Sequence, residues 1–230
     1  MTDGDCSRCG DTYTKRGMSR HLRACLPDSS ERTSAFHLRI TGAQRSDYWL
    51  HLLVEAETTL SRLDAFLREF WLECCGHMSA FTTETARYEK PYDDQAPAYG
   101  PDRQSMDVPI RAVDDEAFTY EYDFGSTTTL DVAVVDTGDW SLADLESRRA
   151  DALETDTDGI GLLARNDPPE IDCGTCGESA TKVCQTCLWQ YGPDAWLCEP
   201  CATDHEADCE RPNYLPKVNS PRTGVCGYRG

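Results

Sequence analysis

The 230-residue sequence is poor in lysine and has no long hydrophobic run. Its lysines are Lys15, Lys90, Lys182 and Lys217. No apolar stretch approaches the ~20 residues that a membrane helix requires, and the N-terminus lacks the basic and then apolar region of a signal peptide. The phosphate loop, the dinucleotide-binding glycine motif and the hydrolase nucleophile elbow are also missing. We therefore expect a cytoplasmic protein that does not enter a membrane.

Acidic residues outnumber basic ones, 41 to 22, which gives a formal net charge of −19. Such a surface repels phosphate, so the whole molecule is not a general nucleic-acid coat. Scarce lysine beside many aspartates favours a halophilic host, whose salt screens the repulsion between carboxylates. An acidic protein from an ordinary cell is the alternative.

Ten of the 13 cysteines follow a pattern: eight form four C-x2-C pairs, and the other two each follow a histidine by four residues. A C-x2-C pair directs two sulfurs at one point, and ligands at i and i+4 share one face of a helix. Disulfides require an oxidising compartment, for which the sequence gives no export signal. Iron–sulfur clusters suit the histidines less well than zinc does. The pattern therefore predicts zinc sites.

The first zinc motif resembles a two-Cys/two-His zinc finger in which cysteine is the fourth ligand. Its ligands are Cys6, Cys9, His21 and Cys25. A helix is predicted from about Lys15 to Cys25, and Arg16, Arg20 and Arg23 form a basic stripe along it. Lys15 adds a fourth cation to the candidate nucleic-acid-binding residues. Two interpretations remain open: the helix contacts nucleic acid through this stripe, or the finger is structural or binds protein and its basic face is solvated.

The second zinc motif has eight ligands, enough for two closed sites that leave no position for a catalytic water. These ligands are Cys173, Cys176, Cys184, Cys187, Cys198, Cys201, His205 and Cys209. The spacing resembles MYND and B-box fingers, and that resemblance implies interleaved pairing and binding to proteins. Sequential pairing stays open. Together the two motifs predict three zinc ions per chain.

Three cysteines remain outside these motifs, namely Cys74, Cys75 and Cys226. We expect Cys74 and Cys75 to close a helix as buried thiols. Cys226 lies in a C-terminal loop, where it is either buried or reactive. All three are predicted to be dispensable for metal binding.

Alternating apolar residues between the two zinc motifs predict a mixed α+β domain. Strands are expected at FHLRI and WLHLLV, at FTYEYDF and the following apolar strand, and at GLLAR. A helix is expected from Leu60 to Cys74, and a second over 142–153. The predicted division is a finger at 1–28, the α+β domain at 35–165, a double-zinc module at 170–212 and a C-terminal arm at 213–230.

Several short motifs between residues 35 and 228 resemble the plasmid pRiA4b open-reading-frame-three-like domain family. They are FHLRI, the run at 49–60, Trp71 followed by His77 and Phe81, YDFG at 122–125, LLARNDPPE and NSPRTGVCGY. The resemblance implies an α+β fold, but the family has no settled activity. His77 and Asp123 allow an acid–base pair or, alternatively, a structural hydrogen bond. His37 and His51 are expected at the surface or as satisfied core residues.

The sequence as a whole predicts a non-enzymatic zinc protein with small zinc modules flanking an α+β domain. Its expected role is to recruit a protein partner through the C-terminal module, with nucleic acid as a further partner of the first finger. The alternative is an accessory enzyme acting on nucleic acid or a nucleotide, linked to mobile elements and using His77 and Asp123. A third reading is a purely structural fold in which zinc supplies only stability.

Overall fold

The computed structural model describes residues 2–26, 33–90, 103–113, 116–140, 142 and 159–230. The chain divides into two compact units. Unit 1 contains Met1–Phe70 and His77–Asp167, and unit 2 contains Trp71–Gly76 and Pro168–Gly230. Both units combine a sheet with helices, so the predicted α+β class is confirmed. Most of the predicted helix at 142–153 lies outside the described residues.

Unit 1 is built on one ten-stranded sheet. Its strands are β1 Asp3–Cys6, β2 Thr12–Thr14, β3 Thr33–Gly42, β4 Trp49–Glu55, β5 Ser79–Thr82, β6 Arg87–Glu89, β7 Arg103–Ser105, β8 Ala117–Tyr122, β9 Thr128–Trp140 and β10 Ile160–Asn166. Their order is β2-β1-β10-β4-β3-β9-β8-β5-β6-β7. The β6–β7 pair is parallel and the other neighbours are antiparallel.

Among the described residues, the α-helices of unit 1 are α1 Lys15–Cys25 and α2 Leu60–Leu67, and a 3-10 turn spans Ile110–Ala112. The predicted start of α2 is confirmed, because the Thr59 side chain accepts a hydrogen bond from the Arg62 backbone N–H and caps the helix. The predicted end at Cys74 is wrong. After Leu67 the chain forms a π-helical turn over Arg68–Leu72, which shifts the phase of the apolar stripe before the cysteines.

The two hairpins predicted from alternating residues are confirmed as β3–β4 and β8–β9. In the second, Tyr120 lies opposite Leu130 on the buried side. The alternation in FTYEYDF also predicts Phe124 on the same face as Tyr120 and Tyr122, but Phe124 is 43% exposed. The strand ends at Tyr122, and Asp123 adopts a left-handed backbone with φ 63°, which turns the next side chain outward.

The N-terminal finger is part of the large sheet. Its strand β1 pairs with β10, and Gly4 lies opposite Asn166. Met18 and Leu22 of α1 are buried with Trp49 and other apolar residues of unit 1. Residues 1–28 and 35–165 therefore belong to one compact unit, whereas the sequence predicts two domains, because β1 completes its hydrogen bonds on a strand that is distant in sequence.

Unit 2 contains a three-stranded sheet with the order β12-β11-β13. Its elements are β11 Lys182–Cys184, α3 Gln185–Tyr191, a 3-10 turn Gly192–Ala195, β12 Trp196–Leu197, α4 Glu199–Asp208 and β13 Tyr214–Pro216. The two hydrophobic clusters of this unit consist largely of cysteine and small apolar residues. No helix in the described parts of the chain is both long and apolar enough to span a membrane.

Candidate metal centres

The first centre lies where β1 meets α1. Its members are Cys6, Cys9, His21 and Cys25, whose ligand atoms all lie within 4.8 Å of one another. The sulfurs of Cys6 and Cys25 are 3.9 Å apart, and Cys9 Sγ lies 3.3 Å from His21 Nε2. The spacing that predicts a finger therefore brings four metal-binding atoms together.

Local sequence explains the geometry of this first centre. Gly10, with φ 80°, closes the turn after β1 and donates its N–H to the Cys6 carbonyl at 2.9 Å. Thr14 caps α1 by accepting the Gly17 N–H at 3.1 Å. The Tyr13 ring stacks on His21 with centroids 4.3 Å apart, so the imidazole is held by packing.

Unit 2 contains two further centres, which group the eight predicted ligands in the interleaved order. One consists of Cys173, Cys176, Cys198 and Cys201, and the other of Cys184, Cys187, His205 and Cys209. Within each group the ligand atoms lie within 4.8 Å of one another. The first C-x2-C pair of this motif thus meets the third. The second pair meets His205 of α4 and Cys209 directly after that helix, so each centre links segments that are separated in sequence.

The distances within these groups fit tetrahedral zinc. Zinc–sulfur bonds of about 2.3 Å at the tetrahedral angle place two sulfurs about 3.8 Å apart. The observed separations are 3.6 Å between Cys176 and Cys198 and 3.6 Å between Cys187 and Cys209. A disulfide needs about 2.05 Å, and all the cysteines are free thiols. The side chains therefore have the chemistry and spacing of closed metal sites.

Backbone amides favour the thiolate form at one cysteine of each centre in unit 2. Burial raises the pKa of Cys173, but hydrogen bonds from the Cys198 and Cys176 backbones outweigh it and lower that pKa to about 6. Burial also raises the pKa of Cys184, and hydrogen bonds from Asn213 and Cys187 lower it to about 7. Thiolates are the form that binds metal, so these amides prepare the sites for a cation.

Two of the basic residues of α1 contact other parts of unit 1, and the other two are exposed to solvent. Lys15 Nζ donates to the Ser46 carbonyl at 2.9 Å, and Arg23 contacts the Val135 carbonyl and the Asp136 carboxylate. Arg16 and Arg20 are exposed. Two of the four basic residues predicted to bind nucleic acid, Lys15 and Arg23, therefore already contact other residues of unit 1.

His77 and Asp123 lie close together in unit 1. His77 Nδ1 is 3.6 Å from Asp123 Oδ1, and the Asp123 side chain is buried. The same carboxylate oxygen accepts the backbone N–H of Gly125 at 3.0 Å and of Ser126 at 3.2 Å. Asp123 is thus a fixed acceptor facing one nitrogen of the imidazole.

His37 and His51 form a buried pair on β3 and β4. Neither is at the surface, and His37 Nε2 lies 2.8 Å from His51 Nδ1. Burial lowers the pKa of His37 to about 4 and that of His51 well below its usual value. Their outer nitrogens, Nδ1 of His37 and Nε2 of His51, have no hydrogen-bond partner among the described residues. They are therefore core residues, but not satisfied ones.

The three cysteines that the sequence leaves unassigned come together in unit 2. Cys74, Cys75 and Cys226 have sulfurs within 4.8 Å of one another, and Cys75 Sγ is 3.9 Å from Cys226 Sγ. The expectation that Cys74 and Cys75 are buried is wrong: Cys74 is half-buried and Cys75 is exposed, because α2 ends before them. The two adjacent cysteines in the sequence Cys-Cys-Gly-His at 74–77 could have indicated a cluster of thiols here.

Comparisons with known proteins add little to this description. No family model matches the chain, and no curated protein matches it either. A solved structure described as a protein of unknown function, MM3350 from Methanosarcina mazei Go1, is similar with a TM-score of 0.39 and 15% identity. The match covers 53% of this chain and 66% of that one. The likeness is too low to indicate a function.

Proposed function

We propose that this chain is a cytoplasmic, non-enzymatic zinc protein that recruits a protein partner through its C-terminal module. The three groups of the finger and the module would each hold one structural zinc ion. The observation that carries the zinc assignment is the set of sulfur separations near the tetrahedral value. Four protein ligands per ion leave no position for a water or a substrate, which supports a structural rather than a catalytic role.

The recruiting surface is proposed to be α3. Among the described residues, Trp189 and Tyr191 of this helix are exposed large hydrophobics, at 89% and 53%. Exposed aromatic side chains mark binding surfaces, where tryptophan and tyrosine contribute most to affinity. Asp194, in the turn that follows α3, is exposed as well. We therefore expect a partner protein that has an apolar pocket for Trp189 and a basic rim around it.

Affinity capture with a matched aromatic control tests this surface. Trp189→Ala should lose the partner that the wild-type chain retains, whereas Phe124→Ala, which removes an exposed aromatic of unit 1, should keep it. Metal analysis of both variants must give the wild-type zinc content. Equal capture by both variants would contradict the assignment of α3.

Nucleic acid remains a second proposed partner, and the exposure of Arg16 and Arg20 supports it. Substituting both by alanine should reduce DNA affinity and lower the salt slope by about two units, one for each phosphate contact. Arg103→Ala, which removes an exposed arginine elsewhere on unit 1, is the control. Unchanged binding in the double variant would exclude the finger as the interface.

That residues 35–228 belong to the plasmid pRiA4b open-reading-frame-three-like family stays our hypothesis. An accessory enzyme that uses His77 and Asp123 is the competing function.

A further inference from the structure

Hydrogen bonds join the first segment of unit 2 to the C-terminal arm of the same unit. Trp71 Nε1 donates to the Asn219 carbonyl at 2.9 Å, and the Ser220 hydroxyl donates to the Trp71 carbonyl at 2.6 Å. These bonds hold two adjacent cysteines of the segment beside a cysteine of the arm, although 151 positions separate Cys75 from Cys226. The fold of unit 2 therefore builds a cluster of three thiols by itself.

The sulfurs of this cluster, from Cys74, Cys75 and Cys226, lie within 4.8 Å of one another. At a metal–sulfur distance of about 2.3 Å, three sulfurs in one plane with the metal lie about 4.0 Å apart, and four at the corners of a tetrahedron lie about 3.8 Å apart. The separation of 3.9 Å between Cys75 Sγ and Cys226 Sγ fits either arrangement. The number of ligands, rather than their spacing, therefore indicates which ion fits.

Unit 2 supplies three ligands at this cluster, and all three are thiols. Each centre of the double-zinc module has four protein ligands, as closed zinc sites do. No fourth cysteine, histidine, aspartate or glutamate from the described residues of unit 2 joins the three thiols. Thiolates select soft ions, among them copper(I), which forms stable complexes with three thiolates. The ligand set therefore favours copper(I) over zinc.

The backbone at Cys226 gives an observation that is independent of the sulfur spacing. Its φ is 53°, in the left-handed region that glycine adopts freely and that a side chain makes costly. The Gln185 side chain donates a hydrogen bond to the Cys226 carbonyl and helps to hold this conformation. The chain nevertheless has cysteine here, and that cysteine brings the third sulfur to the cluster. Strained residues of this kind are concentrated at functional sites.

The surroundings of the cluster also suit a bound ion. Arg222 is fully buried, and its Nη2 donates to Cys74 Sγ at 3.4 Å. Hydrogen bonds from outer residues to ligand atoms orient those atoms in metal sites. Cys75 is exposed, so an ion can reach the sulfurs from solvent.

We propose that Cys74, Cys75 and Cys226 bind one copper(I) ion as three thiolates. The thiol protons leave to solvent when the ion binds, and no electron is transferred. The bound ion fastens the segment Trp71–Gly76 to the C-terminal arm. This site goes beyond the proposed function, which requires only zinc at the finger and the double-zinc module, and it keeps the three cysteines dispensable for zinc.

A copper(I) titration of the zinc-loaded full chain tests the proposal. The ion is delivered from a chelator buffer without oxygen and with a reductant that is not a thiol, and copper and zinc per chain are measured after gel filtration. We expect the wild type to take up one copper(I) before it loses any zinc. Cys226→Gly should take up none at this step, or take it up only in exchange for zinc. Because glycine suits a φ of 53°, this variant should match the wild type in circular dichroism.

Gly227→Ala is the matched control, since a Cβ added there would meet no atom within 4 Å and the three thiols stay in place. It should take up copper(I) as the wild type does. Loss of zinc from the wild type with the first copper(I), or wild-type copper affinity in Cys226→Gly, would overturn the site. A wild type that holds one more zinc ion than Cys226→Gly before copper is added would also overturn it, because the cluster would then be a zinc site.

Two further measurements identify the ligands. Alkylation of the exposed Cys75 thiol, located by peptide mass spectrometry, should be lost when the wild type holds one copper(I) and should persist in Cys226→Gly under the same conditions. X-ray absorption at the copper edge should show three sulfur neighbours and no nitrogen. Continued alkylation of Cys75 in the copper-loaded wild type, or a copper ion bound by two sulfurs or by sulfur and nitrogen, would overturn the three-thiolate set.

Discussion

Acid should destabilise unit 1 through the buried pair His37 and His51. Burial lowers the pKa of His37 to about 4, with Arg23 and Arg39 acting in the same direction and Asp136 opposing them. In the unfolded chain the ordinary value of about 6.5 applies, so the unfolded state binds a proton that the folded state does not. Stability is therefore fully present above about pH 6.5 and falls as the pH drops toward 4.

The size of this effect follows from the two pKa values of His37. A difference of about 2.5 units is equivalent to about 3 kcal/mol in total, and about 2 kcal/mol of it is lost between about pH 7.5 and about pH 5. His51, whose pKa is also lowered by burial and by His37, adds to the loss in the same direction. A loss of this size is a large part of the stability of an ordinary domain.

A double variant separates this effect from metal release. His37→Met with His51→Met keeps the volume and removes both buried polar partners together, an exchange that is often nearly neutral. Denaturant unfolding at fixed KCl, followed by tryptophan fluorescence, gives the free energy of unfolding of both proteins. Trp49, whose ring centroid is 5.6 Å from that of His51, reports on the site.

Loss of zinc at low pH affects wild type and double variant alike, so it cancels in their difference. We expect the wild type to lose at least about 2 kcal/mol relative to the variant between about pH 7.5 and about pH 5. A difference in unfolding free energy that stays constant over this range would refute the account of the buried pair.

The remaining predictions concern salt, metal and one buried carboxylate. Because the net charge is −19, the melting temperature should rise with KCl, and a salt-independent value would count against the halophilic interpretation. A zinc chelator at neutral pH should unfold unit 2 in circular dichroism, and re-addition of zinc should restore it. Asp64, which accepts bonds from Ser79 at 2.6 Å, Tyr120 at 2.7 Å and Arg68 at 2.9 Å, is fully buried, so Asp64→Asn should cost roughly 3–5 kcal/mol in urea unfolding. The exposed Asp107→Asn is its control, and equal losses in both would argue against the network.

The parts of the fold that the sequence predicts well are those fixed by neighbouring residues. A C-x2-C knuckle and an i, i+4 pair are local geometries, so the side chains of the first centre could be grouped from spacing alone. Alternation likewise predicts the β3–β4 hairpin, whose strands pair as adjacent segments. The same reasoning cannot order a ten-stranded sheet, since four of the nine neighbouring pairs in the described sheet join strands that are not consecutive in the chain.

Two features escape sequence reasoning for physical reasons. Strand β1, with the sequence DGDC, has no apolar alternation, because Gly4 fits closely against the Arg165 backbone and the Trp49 ring. The grouping of Cys226 with Cys74 depends on contacts between two segments about 150 positions apart, which leave no periodic signal. In both cases the residue contacts a partner that is distant in sequence, so the local sequence pattern gives no sign of the contact.

We expect the folded state of the N-terminal finger to depend less on bound metal than that of unit 2. The finger helix buries Met18 and Leu22 against the core of unit 1, and β1 adds a ladder of hydrogen bonds to β10. Unit 2 has small hydrophobic clusters in which cysteines themselves are buried members. Domains with so little apolar surface are usually stabilised by metal or disulfides, and these thiols are free. We therefore expect bound metal to stabilise an interface in the finger and to substitute for a larger core in unit 2.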